Sequence, residues 1–175
     1  MKSRWMKWSQ RLWLAMLGPV LLLGGAEGVL RLGGYGVATG YFVPAEIGGR
    51  KVWVNNPFFG CRFFPERIAR TPPCAVFDRR KEPGTIRVFV LGESAAMGEP
   101  MEEFGMARQL ACLLEGRYPG KRFEIVNAAM TAIHSHVIVE VAREVAGLEP
   151  DAVILYMGNN EVVGPYGPGT VFGRF

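Results

Sequence analysis

The chain is poor in the residues that hold metals, with two histidines and three cysteines in 175 residues. Cys61, Cys74 and Cys112 form no Cys-x-x-Cys pair. His134 and His136 stand two apart, not at the i,i+4 spacing of a helical zinc pair, so no metal site is expected. A P-loop lysine and a Gly-x-Gly-x-x-Gly fingerprint are both missing, which counts against a phosphate- or nucleotide-binding α/β module, and no cofactor is implied. There is no internal repeat and no low-complexity tract. Acidic residues are absent from the first 26 positions, where Lys2, Arg4, Lys7 and Arg11 carry four positive charges. The other sixteen Lys/Arg are balanced by the sixteen Asp/Glu, so the net charge of +4 resides in that one segment. A nucleic-acid-binding face would need basic residues clustered on the folded domain, and that class is not expected.

What the N-terminus does have is a basic flank followed by an uncharged apolar run over residues 12–26. A membrane-spanning helix needs about 20 residues. Continuing through Glu27 to Leu32 reaches that length and sets Glu27 and Arg31 at i,i+4, where they can pair near the outer interface. The order predicts a retained single-pass anchor in the cytoplasmic (inner) membrane, with the basic end inside and everything after Gly33 facing the periplasm or exterior. Gly24-x-Ala26 leaves a cleaved signal peptide as the alternative. The expected organisation is a signal-anchor over 1–33, an aromatic and Pro-rich arm over 34–82, and an α/β domain over 83–175.

The arm shows no clear periodicity. Its run from Asn56 to Pro65 carries four phenylalanines, which are expected to pack on the following domain, since large apolar side chains are usually buried. In an exported protein Cys61 and Cys74 either form a disulfide or remain two free thiols, with Cys112 unpaired.

From Pro83 the pattern becomes regular. Ile86 to Leu91 is an apolar run of the kind buried on both faces of a sheet. Phe104, Ala107, Leu110, Ala111 and Leu114 fall on one helical face, closed by Tyr118-Pro119-Gly120. Residues 123–126 form a second strand. Ile133, Val137, Val141 and Val145 mark a second amphipathic helix ending near Gly147, and residues 152–156 form a third strand. Strand and helix alternating at this spacing predict an α/β class, a βαβαβ unit with a parallel sheet.

Three short blocks follow the three strands: Gly92-Glu93-Ser94, Asn127-Ala128-Ala129-Met130-Thr131-Ala132, and Gly158-Asn159-Asn160-Glu161. Parallel sheets bind ligands at the carboxyl ends of their strands, where all three blocks should lie. Taken singly, each reads as a turn or a helix cap. In this order they resemble the SGNH branch of the GDSL esterase/lipase family over residues 86–161, with Glu93 and Glu161 standing where the family has Asp. The longer strings around Ser94 and Asn160 are similar to an exported bacterial subgroup. An α/β-hydrolase nucleophile elbow does not fit, because its second glycine would fall at Ala96.

The resemblance implies a three-layer, flavodoxin-like fold and an ester hydrolase acting on acyl or acetyl esters of small molecules or polysaccharides. It makes Ser94 the nucleophile. The oxyanion donors would be the Ser94 N–H, the Ala132 N–H, where the family usually has Gly, and the Asn160 side-chain amide. The family's fourth block, Asp-x-x-His, supplies the base. It is not found before Phe175, so the chain reads as the N-terminal part of such a hydrolase, itself poorly active. His134 is expected to be structural, and His136 to pair with Glu140 in solvent. The competing expectation is a non-catalytic envelope binding or scaffold domain that keeps the pocket and lacks the base.

Overall fold

In the computed structural model, residues 2–36 and 38–170 are described; residue 37 of the Gly-rich hinge and the last five residues lie outside them. Two units separate at the hinge. The first is a single helix, α1 (Lys2–Leu32). It is long and apolar enough over Gln10–Leu32 to be a membrane anchor or a signal sequence. Glu27 and Arg31 pair at 2.7 Å on this helix, as their i,i+4 spacing predicts.

The second unit opens with a three-stranded antiparallel sheet in the order β1 (Phe42–Ile47), β2 (Arg50–Asn55), β3 (Val76–Asp78). Gly48 and Gly49 join β1 to β2 with φ of 58° and 77°. A two-residue hairpin turn of this hand needs both φ values positive, which glycine adopts at little cost. The arm predicted without periodicity therefore contains a small antiparallel sheet. Its rings enter the same core as the α/β part. Tyr41, Phe42, Phe59, Phe64 and Phe77 are buried together with Phe89 and Leu91. Edge-to-face contacts run from Tyr41 through Phe42 and Phe77 to Phe89, at centroid distances of 4.9, 5.2 and 5.7 Å. Such pairs contribute about 0.5–1.5 kcal/mol each beyond their area.

Strands β4 (Thr85–Gly92), β5 (Arg122–Asn127) and β6 (Ala152–Tyr156) form a parallel sheet in the order β5-β4-β6. The first strand is central because its two successors pair on opposite sides of it. Side chains alternate across the sheet. Phe89 and Leu91 meet α4 (Ser135–Val145) and the aromatic arm on one face. On the other, Val90 meets α2 (Ser94–Met97), Ala107 of α3 (Met106–Arg117) and Ala129. Val137, Ile138, Val141 and Val145 of α4 are all buried, as its 3.6-residue apolar period predicts.

Helix α3 departs from expectation. Phe104 precedes it in a separate 3-10 turn (Glu102–Phe104) and is 68% exposed; within α3 only Ala107 is buried. Gly105 separates the two because a Cβ there would stand 2.7 Å from the Met97 carbonyl oxygen. Arg87, buried in β4, pairs with Glu124 and donates to the carbonyls of Leu148 (2.8 Å) and Asp78 (2.9 Å). It thereby joins both sheets and the α4–β6 loop. Strand β6 is one of the two outer strands of the described sheet, and Val153, Leu155 and Tyr156 on it are exposed. Cys61, Cys74 and Cys112 are free, exposed thiols.

Candidate functional site

Parallel sheets bind ligands outside the carboxyl ends of their strands. Ser94 follows β4, Asn160 follows β6, and residues 127–132 follow β5. Four hydrogen-bonded ties knit the blocks together. The Met130 N–H donates to the Gly92 carbonyl at 3.1 Å. Asn127 uses Nδ2 to reach the Met97 carbonyl at 2.9 Å, while its Oδ1 accepts from the Ala129 N–H at 3.2 Å. Glu161 accepts from both the N–H (3.0 Å) and hydroxyl (2.7 Å) of Ser135, capping α4 from a distant loop. The Ser135 bonds favour the ionised form of Glu161 and lower its pKa.

The fourth tie is the most demanding. Glu93 is only 1% exposed, and its carboxylate accepts three backbone N–H groups of the third block: Gly158 (3.2 Å), Asn159 (2.9 Å) and Asn160 (3.2 Å). No Lys or Arg pairs with it among the described residues. The residue beside Ser94 therefore shapes the loop that carries Asn160. Glycine at position 92 is also required, since a Cβ would lie 2.0 Å from the Tyr156 carbonyl oxygen.

Ser94 lies at the first position of α2, half-buried. Ala132 has φ of 61°, the left-handed region that costs a non-glycine residue about 1–2 kcal/mol. The alanine thus holds the backbone shape that glycine would adopt freely. Among the described residues the Ser94 hydroxyl, the Ala132 N–H and the Asn160 side-chain amide make no hydrogen bond to protein, so all three remain available to a ligand.

The two histidines lie against each other at the start of α4. His134 is buried, and neither ring nitrogen has a partner. Its ring stacks on His136 at 5.0 Å and lies under Gly164, whose added Cβ would be 3.0 Å from the His134 Cβ. Burial lowers the His134 pKa, and the neighbouring His136 lowers it further against the opposing pull of Glu161 and Glu93. Glu140 pairs with Arg143 and with Arg62 (3.7 Å), so the expected His136–Glu140 pair is replaced by a ring stack. Among the described residues no group of three His, Cys, Asp or Glu side chains could hold a metal ion.

The linking roles of Glu93 and Asn127 and the Glu161 cap on Ser135 were not specified by the motifs, because each joins residues far apart in sequence. The arm contributes a further support: the buried Tyr41 hydroxyl donates to the Ala129 carbonyl at 3.0 Å, and burial raises its pKa. No protein-family model, no curated protein and no solved structure matches this chain.

Proposed function

We propose that the chain is a serine ester hydrolase of SGNH type with the flavodoxin-like form of that fold, anchored by α1 in the cytoplasmic membrane with its second unit outside. The observation that carries this reading is the cross-linking, at the sheet's carboxyl edge, of three blocks that each carry one unengaged group: the Ser94 hydroxyl, the Ala132 N–H and the Asn160 amide. Ser94 Oγ attacks the ester carbonyl, and the oxygen that becomes negative accepts from the Ser94 N–H, the Ala132 N–H and Asn160 Nδ2. The alcohol leaves, and water releases the acid from the acyl-serine. In this reading the proton of Ser94 passes to an imidazole acting as general base, the role that the resemblance gives to the histidine of an Asp-x-x-His block.

A test follows from that division of labour. With free imidazole supplied as base, the chain should hydrolyse p-nitrophenyl acetate faster than its Ser94→Ala variant under the same conditions. Asn160→Ala should lower the Ser94-dependent rate by about 10²–10³. Equal rates for the chain and Ser94→Ala would overturn the enzyme reading. They would favour the second one, a non-catalytic envelope-binding domain, which the unpartnered ring nitrogens of the buried His134 support, since no described carboxylate orients that imidazole as a base.

A further inference from the structure

Strand β5 pairs with β4 on one side and with no strand on the other among the described residues. The ladder fixes which backbone groups lie on the open edge. The Ala128 N–H donates to the Val90 carbonyl (2.8 Å) and the Met130 N–H to the Gly92 carbonyl (3.1 Å), so the even-numbered residues of this segment face β4. Backbone direction alternates along a strand, and the N–H and C=O groups of Phe123, Ile125 and Asn127 therefore point outward. Such a row of unpaired donors and acceptors is a template for another chain.

The edge opens into a groove of about 530 Å³, lined by residues 124–127. One wall is the 3-10 turn and first half of α3, with Glu102, Glu103, Ala107 and Ala111, and the other is the arm from Pro73 to Phe77. A strand edge flanked by a helix on one side is the geometry in which an extended peptide gains main-chain bonds and pockets together. The charges in the groove are unequal. Glu124 is paired with the buried Arg87, whereas Glu102 and Glu103 have no cationic partner among the described residues. Burial raises the Glu102 pKa, and the Glu103 and Glu99 carboxylates raise it further, as a cluster without a countercharge requires. Arg108, on the same wall, also forms no ion pair, so a single cation stands against the acid pair.

We infer that this groove is a docking site for an extended peptide segment bearing a lysine or arginine, which adds a strand to β5 and sets its basic side chain against Glu102 and Glu103. Main-chain bonds to Phe123, Ile125 and Asn127 supply affinity that is blind to sequence, and the acid pair supplies the preference for a cation. Ala75, Ala107 and Ala111 leave room on both walls for the alternating side chains of the added strand. With walls on both sides, the recess suits one strand rather than the broad edge of a second copy. Ser94 takes no part in this site.

The test uses the full chain in lipid nanodiscs and a peptide of alternating valine and threonine with one lysine, six residues long to match β5. By fluorescence anisotropy, glutamate in place of the lysine should weaken binding about tenfold. Proline at the peptide's centre, which removes a ladder N–H, should also cost about tenfold. Binding should slow amide exchange at Phe123, Ile125 and Asn127 and leave Glu124 and Val126 unchanged. A bromoacetyl form of the lysine peptide should alkylate Cys74, on the groove wall, in preference to the equally exposed Cys61 and Cys112, relative to iodoacetamide. Glu102→Gln with Glu103→Gln should erase the preference for lysine over glutamate while Tm holds, because neither carboxylate has a partner to lose. Equal binding of the lysine and glutamate peptides would overturn the site, as would slowed exchange confined to residues outside β5. Concentration-dependent dimerisation that slows the same amides without peptide would assign the edge to a second copy and overturn it as well.

Discussion

Replacing Glu93 by Gln isolates the interaction that shapes the third block. One carboxylate oxygen accepts from the Gly158 and Asn160 N–H groups and the other from Asn159. The amide can keep only one oxygen in this position. If it retains the Gly158 and Asn160 pair, its NH₂ faces the Asn159 N–H and leaves that donor unsatisfied. An orphaned buried donor costs about 1–3 kcal/mol, and turning the two surviving bonds from charge-assisted to neutral costs about 1 kcal/mol each. Burying an amide in place of an unpaired carboxylate returns part of this. The net expected loss is about 2–3 kcal/mol, which for a domain of this size lowers Tm by about 6–12 °C. Glu93→Asp keeps the charge and should lose less. Thermal unfolding followed by near-ultraviolet circular dichroism measures both variants. Glu93→Gln melting within about 1 °C of the parent would show that the carboxylate does not organise this loop, and the reasoning would fail.

Ala132→Gly should raise stability by about 0.5–1 kcal/mol, because relief of the left-handed backbone outweighs the added freedom of the unfolded chain; a lower Tm would contradict this. His134 is more easily protonated unfolded than folded, since its folded pKa lies below the ordinary 6.5. Its contribution is therefore fully present above pH 6.5 and is lost as pH falls from there toward the lowered folded value. His134→Phe should flatten the stability profile across that window, measured by urea unfolding, and an unchanged slope would remove His134 as its source. Glu161 acts separately and lower: its depressed pKa contributes stability above 4.5 that is lost on further acidification, so Glu161→Gln should flatten only that limb. Reporter fusions should place residues 1–11 in the cytoplasm and the domain from Pro83 outside; protease protection of that domain in intact spheroplasts would contradict the topology.

Much of the second unit was legible where a single period governs the residues. The apolar run of β4, the 3.6-residue stripe of α4 and the full span of β6 follow from local pattern. Phe104 was assigned to the face of α3 because its spacing fits. A backbone approach at Gly105 decides otherwise, and such an approach depends on Met97, eight residues away. The arm looked irregular since its strands are short and pair across loops, although Gly48-Gly49 was a hairpin signal in plain view. At the candidate site the order of the three blocks was readable. The reach of Glu93 across to residues 158–160 was not, because side-chain bonds over that separation leave no local periodicity. Arg87 shows the same thing: it lies within an apolar run, and only the fold reveals that its guanidinium joins three elements.

The central claim, that Ser94 is a nucleophile, is tested most directly by trapping its acyl intermediate. The chain would be incubated with p-nitrophenyl octanoate and imidazole, quenched in acid and digested for peptide mass spectrometry. An octanoyl group on Ser94, missing in Ser94→Ala and diminished in Asn160→Ala, is the predicted result. Ester turnover above background with Ser94 unmodified and Ser94→Ala equally active would contradict it.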